Sequence, residues 1–465
     1  MNPYNSGVKA IAQGLLDAGA EAAFNYPGFF SQDIFDLLGG NQISLNERIA
    51  YAEAFGASLA GKRAVVSFKN VGLNIACDAY FHSIISGVRS GLVVIVSDDV
   101  DVWGSQESQD SRPYFDFYGG IWLEPSTAQE GYDFGKDAFE LSEEFDVPVV
   151  IRLTNDYFDC SESFKKSQKR RSTGKPAGIS REKFLVHPYY FKHQYANLQK
   201  KNNNIRQYFN KRKGAVETQN KDMGVITVGA AKIPKSALAS DRIHINTYPF
   251  QENIIKDFIE EHHVVKIYEC GGPYIANKIR QLDSKKHIYS DEPTNLAQRT
   301  DFITWNRYDT FFKALQNIKP DMVFGDITQF TADKNQTIKA SLSFGTAFAS
   351  SIGYSSHQPN SYVFCLSGDS SFLHEGIGII DEAIKRDVKL GIVIFDNGGS
   401  WCTGGQTHAG NIYNIDDNIK LQKIDLTYEL ITQQEIETAL LKMKGFNGVS
   451  LLRLKVDMGD FSWDE

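Results

Sequence analysis

Cysteine is scarce in this chain and never clustered. Cys77, Cys160, Cys270, Cys365 and Cys402 are the five in 465 residues, and no two stand in a CxxC spacing. Zinc and iron–sulfur frameworks need neighbouring thiolates, so sequence-local ligation of either is excluded. Cys365 reads instead as a small buried hydrophobe of a strand. A surplus of positive charge is missing as well. The 49 Lys and Arg are outnumbered by 57 Asp and Glu, for a net charge of −8. A polyanion would meet repulsion rather than counterion release, which argues against nucleic acid as the main partner. Apolar runs of the ~20 residues that span a bilayer are lacking. The N-terminus carries no basic stretch followed by an apolar one. The expectation is a cytoplasmic protein without membrane contact. The remaining composition, 42% hydrophobic and 23% charged, is ordinary for a globular chain long enough for about three domains.

Two stretches carry chemistry. The first is VFCLSGDSSFLHEGIGIIDEAIKRDVKLGIVIFDNGGSWCTGGQ, residues 363–406. It predicts a buried strand over 363–366, a tight Gly368-Asp369-Ser370 turn, a helix, and a second buried strand over 390–395 that ends in Asp396-Asn397-Gly398-Gly399. Two apolar runs joined by a helix make a parallel βαβ unit, with its ligand site at the carboxyl ends of the strands. Asp369 and Asn397 stand at those ends, so a carboxylate and an amide oxygen converge on one crevice. A hard divalent cation that keeps part of its shell for phosphate oxygens needs such a pair, and Mg2+ is the natural candidate. Gly368, Gly398 and Gly399 let the backbone approach a diphosphate closely. Upstream, 322–324 leads into Gly325-Asp326, another strand end on the same presumed face.

The second stretch is the helix 47–60, rich in Ala, Gly and Ser, with Glu47 in its first turn, where the helix dipole favours an acid. Around it, 64–67, 92–97 and 147–153 are aliphatic runs without alternation, as buried parallel strands should be. The class is α/β, doubly wound.

Gly-Asp-Ser followed after 25 residues by Asp-Asn resembles the signature of enzymes that use thiamine diphosphate (ThDP). That resemblance implies Asp369, Asn397 and the Gly399 carbonyl as Mg2+ ligands. Gly368, Ser370 and Thr403 would line the diphosphate. Asn46-Glu47 and the small-residue helix after it resemble the segment that presents the catalytic glutamate to the aminopyrimidine of that cofactor, a proton relay rather than a salt bridge. Glu53 is the fallback if the register is shifted. Tyr26-Pro27-Gly28, 69–74 including Gly72, Ser105-Gln106, 109–112 and 141–144 together resemble the α subunit of indolepyruvate:ferredoxin oxidoreductase. So do 368–374 and 403–408. Tyr26, Pro27, Gly28 and Gly72 are then cofactor contacts of a pyrimidine-binding domain. Leu342 or Phe344 is the apolar wedge that bends the cofactor, unless it is plain core.

The resemblance implies two doubly wound parallel-sheet ThDP-binding domains, pyrimidine (1–160) and pyrophosphate (301–465). A smaller α/β transketolase-C-terminal-like domain (222–300) lies between them, after a basic linker (161–221) whose charge is read as solvated rather than polyanion-binding. It implies a homodimer or higher even oligomer, with Glu47 of one copy serving the cofactor held by Asp369 of another. The sequence also departs from that family. It is expected to lack the ferredoxin-like C-terminal extension, Asn70 stands where the family has His, and Gly405 replaces another His. His374 and His408 remain, each readable as a proton shuttle or as a packed structural residue. Arg112 is readable either as the fork for a substrate carboxylate or as half of a structural salt bridge. The function expected is decarboxylation of a 2-oxo acid, aryl or alkyl, through an enamine released as aldehyde or carboligated. The alternative is an oxidoreductase α subunit whose clusters lie on a separate redox subunit.

Overall fold

Aliphatic runs without polar alternation become inner strands of parallel sheets, because helices cover both faces. The computed structural model describes residues 6–28, 30–41, 43–100, 107–167, 180–185, 188–212, 216–218, 222–282, 287–290, 308–326, 328, 337–340, 344–400, 408 and 421–457. It divides into two compact units, Met1–Gln298 and Arg299–Glu465.

The first unit contains β1 (Ala22–Asn25), β2 (Ala64–Lys69), β3 (Leu92–Asp98), β4 (Ile121–Leu123), β5 (Val149–Thr154), β6 (Val216–Glu217), β7 (Met223–Val228), β8 (Asp241–Ile245), β9 (Thr247–Tyr248), β10 (Val264–Tyr268) and β11 (His287–Ser290). They form two sheets, ordered β1-β2-β3-β5-β4-β9 and β11-β10-β7-β8-β6. Pairing is parallel except at β4–β9 and β6–β8. Every residue of β3 and β5 is buried, as their unalternating sequences predict. The short β9 leaves the second sheet's part of the chain to become an edge of the first.

On the first sheet, the helices Ser6–Asp17 and Ala128–Phe145 cross at glycines. A Cβ on Gly14 would lie 2.2 Å from the Tyr132 carbonyl oxygen, and one on Gly135 2.7 Å from that of Ile11. Neither oxygen belongs to a side chain that can swing aside. The two sheets share a buried ionic network. Arg152 of β5 donates to Asp98 at 2.6 Å and to Glu124 at 2.9 Å, and Arg112 donates to Glu269, just past β10, at 2.5 Å. Such pairs add little net stability, yet removing one partner strands the other's charge at a cost of about 3–5 kcal/mol. Burial pushes the Asp98 carboxyl above its ordinary range despite Arg152 beside it.

The second unit is a single all-parallel sheet of β12 (Met322–Gly325), β13 (Val363–Gly368), β14 (Leu390–Asp396), β15 (Leu421–Thr427) and β16 (Val449–Lys455), ordered β12-β13-β14-β16-β15. Phe311, Leu315, Ile436 and Leu440 pack on one face, and Phe348, Ile352 and Ile380 on the other. The strand–turn–helix–strand read from residues 363–406 is present, with β13 beside β14.

Two stretches differ from their compositional reading. Inside 161–221, taken as a linker, lies the 24-residue helix Pro188–Lys211. Its Leu198, Ile205 and Phe209 are buried; their helical spacing is hidden by the polar residues between them. The polar stretch 290–320 contains the helix Asp309–Asn317, which buries Phe311, Phe312, Ala314 and Leu315. No helix among the described residues is long and apolar enough to cross a membrane.

The glycine crossing yields a direct test. Gly14→Ala forces the two helices apart and should cost about 1–3 kcal/mol, read as a lower urea midpoint at unchanged slope.

Candidate active site

In a parallel sheet the carboxyl ends of neighbouring strands lie side by side, so the turns leaving them share a crevice. In the second unit those turns begin with Asp326 after β12, Asp369 after β13 and Asn397 after β14. Asp369 is 1% exposed. Its Oδ1 accepts from the Ser370 N–H at 2.8 Å, and its Oδ2 accepts from the Gly398 N–H at 2.7 Å. His408 Nε2 lies 3.1 Å from the same Oδ2. Burial pushes the Asp369 carboxyl up, and the hydrogen bond to Asp369 pushes His408 up in turn. Gly398 adopts φ +75°, a left-handed conformation that suits glycine.

Asn397 is the informative residue. The end of its amide that faces Asp369 stands 3.2 Å from Asp369 Oδ1 and 2.8 Å from the Gly399 carbonyl oxygen, with the Gly399 N–H 3.4 Å away. With nitrogen on that side the contacts are hydrogen bonds. With oxygen on that side it accepts from the Gly399 N–H at 3.4 Å, and a cation seated between the three facing oxygens would stabilise them. Ligands bound cis at roughly 2.0–2.1 Å in an octahedron are themselves about 3 Å apart, so the spacing fits a small hard ion. Among the described residues no group of three or more His, Cys, Asp and Glu is placed to hold a metal. This mixed carboxylate, amide and carbonyl set, with room left for phosphate oxygens or water, is the arrangement that suits Mg2+.

Beside it, Ser370 and Ser400 share a hydroxyl hydrogen bond of 3.0 Å. His374 lies in a π-helical turn, Phe372–Gly376, a form that occurs often at functional sites. It is 4% exposed and meets Phe344 edge-on, with ring centroids 5.1 Å apart. Phe344 therefore lines the same neighbourhood as His374. Leu342 and Thr403 lie outside the described residues.

In the first unit Asn46 caps its helix through a 2.9 Å bond from the Ile49 N–H, and Glu47 follows at 6% exposure. Gly72 makes room for it: a Cβ there would sit 2.5 Å from Glu47 Cγ and 2.7 Å from Oε1. The carboxylate thus packs on bare backbone at the start of the helix Asn70–Ser86. Glu53, the fallback, is exposed and accepts from the Ser44 hydroxyl at 2.5 Å. Tyr26-Pro27-Gly28 leaves the carboxyl end of β1, where a Cβ on Gly28 would meet Lys69 Cβ at 2.9 Å. Lys69 in turn pairs with the buried Asp99 at 2.8 Å. Asn70 donates to the other oxygen of Asp99 at 2.6 Å, so it holds the turn after β3.

Arg112 needs correction. Its side chain is 0% exposed, and four donors are engaged by Asp110 (two), Glu269 and the Gly272 carbonyl. Of its two readings the structural salt bridge is what the geometry shows, since no part of the guanidinium faces outward to meet a substrate carboxylate. The Lys69–Asp99 pair and the bonds made by Asp326 were not anticipated. Their partners lie in distant turns that no local motif announces.

Residues 323–451 match the family described as thiamine pyrophosphate enzyme, C-terminal TPP binding domain. Over 87% of its length the chain is 26% identical to indolepyruvate oxidoreductase subunit IorA of Archaeoglobus fulgidus, of which it spans 76%. To the same-named subunit of Thermococcus kodakarensis it is 38% identical over 156 residues, 32% of this chain and 24% of that one. Among solved structures, a 2-oxoglutarate:ferredoxin oxidoreductase from Magnetococcus marinus superimposes with a TM-score of 0.47 at 14% identity, covering 62% of this chain and 63% of that chain.

The three facing oxygens make a metal test possible without substrate. Mn2+ titrated into the protein and followed by electron paramagnetic resonance should bind at one site per chain. Asp369→Ala should weaken that site at least tenfold, whereas His374→Ala should leave it within about twofold.

Proposed function

We propose that this chain, a relative of the indolepyruvate oxidoreductase IorA subunits, binds thiamine diphosphate with Mg2+ and decarboxylates a 2-oxo acid. We propose further that it works as the α-type subunit of a 2-oxoacid oxidoreductase. The observation that carries the reading is the convergence of Asp369, Asn397 and the Gly399 carbonyl at the tips of β13 and β14, inside the segment that matches the thiamine pyrophosphate domain. Thiamine diphosphate, when bound, supplies the nucleophilic carbon and the electron sink that let a 2-oxo acid lose CO2.

The chain's own groups divide the remaining work. The three oxygens would hold the cation, and the N–H groups of Ser370 and Gly398 hold the Asp369 carboxylate in place for it. Glu47, nearly buried against Gly72, is the group that would take up and return the proton when the cofactor is activated. His374 and His408 are candidates for moving a proton at the substrate. Pure protein with a separate, cluster-bearing redox partner and a panel of aryl and alkyl 2-oxo acids should reduce a viologen dye, and it should fail without the partner.

A second reading rests on one sequence fact. With no CxxC spacing among its five cysteines, the polypeptide has no local framework for clusters that would take the electrons. Non-oxidative release of an aldehyde or a carboligated product is the outcome without a redox partner. CO2 evolved from a 2-oxo acid with no acceptor present would favour this reading. A homodimer or higher even assembly is proposed on the same resemblance and on the general preference for symmetric association.

Two outcomes test the shared chemistry. Thiamine diphosphate at 100 times its Kd should stabilise the protein by about 2.7 kcal/mol, seen as a raised melting temperature only when Mg2+ is present. Glu47→Gln should keep that shift yet lower turnover by about 10²–10⁴. A variant that loses both would place Glu47 in folding rather than in proton transfer.

A further inference from the structure

We propose that Asp326 is a positioning residue that ties the Phe344–Gly345 turn to the Asp369–Ser371 turn. On this account it holds the apolar part of the cofactor cleft in fixed register with the part that binds metal and diphosphate. The inference rests on the functional reading above.

Asp326 follows β12 directly and is 0% exposed. Its own N–H donates to the Leu366 carbonyl at 2.9 Å, which fixes its backbone to β13. Its two carboxylate oxygens then reach different segments. Oδ1 accepts from the Gly345 N–H at 2.8 Å, and Oδ2 accepts from the Ser371 hydroxyl, with the Ser367 hydroxyl at 3.4 Å. A carboxylate accepts at both oxygens and donates from neither, and bonds to an ionised acceptor are the stronger kind. One rigid side chain therefore bridges two turns of the same unit.

Each bridged turn has its own reason to need an external anchor. Gly345 adopts φ +84°, and a Cβ there would lie 2.6 Å from Glu375 Cγ. The turn is thus glycine-dependent and packed against the π-helical segment, with Phe344 on His374. Ser371 stands two residues after Asp369, at the far end of a turn whose metal ligand is itself held by the Ser370 and Gly398 N–H groups. A ligand that touches only the metal turn is indifferent to the bridge. A ligand that also rests on Phe344 depends on it.

Calorimetric titration with inorganic diphosphate and with thiamine diphosphate, each at saturating Mg2+, separates the two. For Asp326→Ala and Ser371→Ala the Kd of thiamine diphosphate should rise at least tenfold, while that of diphosphate stays within twofold. Asp326→Asn keeps an oxygen for the Gly345 N–H and presents an N–H to the Ser371 oxygen, so it should recover most of the loss. Ser371→Ala removes a single hydroxyl and guards against simple misfolding. Parallel loss of both ligands would make Asp326 merely structural and overturn the inference, as would unchanged binding of both. Wild-type protein that binds diphosphate but not thiamine diphosphate would sink the functional reading, and the inference would fall with it.

Discussion

Oxygens that converge in a buried crevice repel unless something positive lies between them, and the second unit is built around such a convergence. Parallel pairing of β13 with β14 places the turns after Gly368 and Asp396 next to each other. One turn brings a carboxylate with 1% exposure, and the other brings an amide and a backbone carbonyl. The pull of burial on Asp369 is toward the protonated form. A bound divalent cation would reverse that preference and would favour the Asn397 oxygen on the inward side. Fold topology, not local sequence, supplies the closeness; the sequence supplies only the donors.

The first unit holds an acid, Glu47, nearly buried. Gly72 gives up its side chain so that Glu47 can lie on backbone. The guanidinium groups of Arg112 and Arg152 are committed elsewhere, to Asp98, Asp110, Glu124 and Glu269. Engaging them ties β5 to the end of β3 and to the Cys270 carbonyl just past β10.

The strands and the class were legible because each is local, and the Asp369–Asn397 pair because the βαβ pattern around it implies neighbouring strand ends. An unalternating aliphatic run announces a buried strand, and a Gly-Asp turn at its end announces a ligand site. Glu47 was singled out by the resemblance of its helix, not by the helix itself, and it lies nearly buried beside Gly72. What escaped is long-range: Arg112 finds Glu269 at a separation of 157 residues, and Asp326 finds Ser371 at 45. A cation in sequence shows its charge but not its partner, so Arg112 could be read two ways until its donors were seen engaged. The helix Pro188–Lys211 was hidden for another reason. Three apolar positions, 198, 205 and 209, suffice to bury one face, too few to lift a lysine- and asparagine-rich stretch above the appearance of a linker.

The most direct measurement is anomalous diffraction from crystals grown with Mn2+ and thiamine diphosphate. The account predicts one Mn2+ peak bonded to Asp369, to the Asn397 oxygen and to the Gly399 carbonyl, with diphosphate oxygens completing the shell. A peak held by other residues, or Asn397 with its nitrogen still turned toward Asp369, would contradict it.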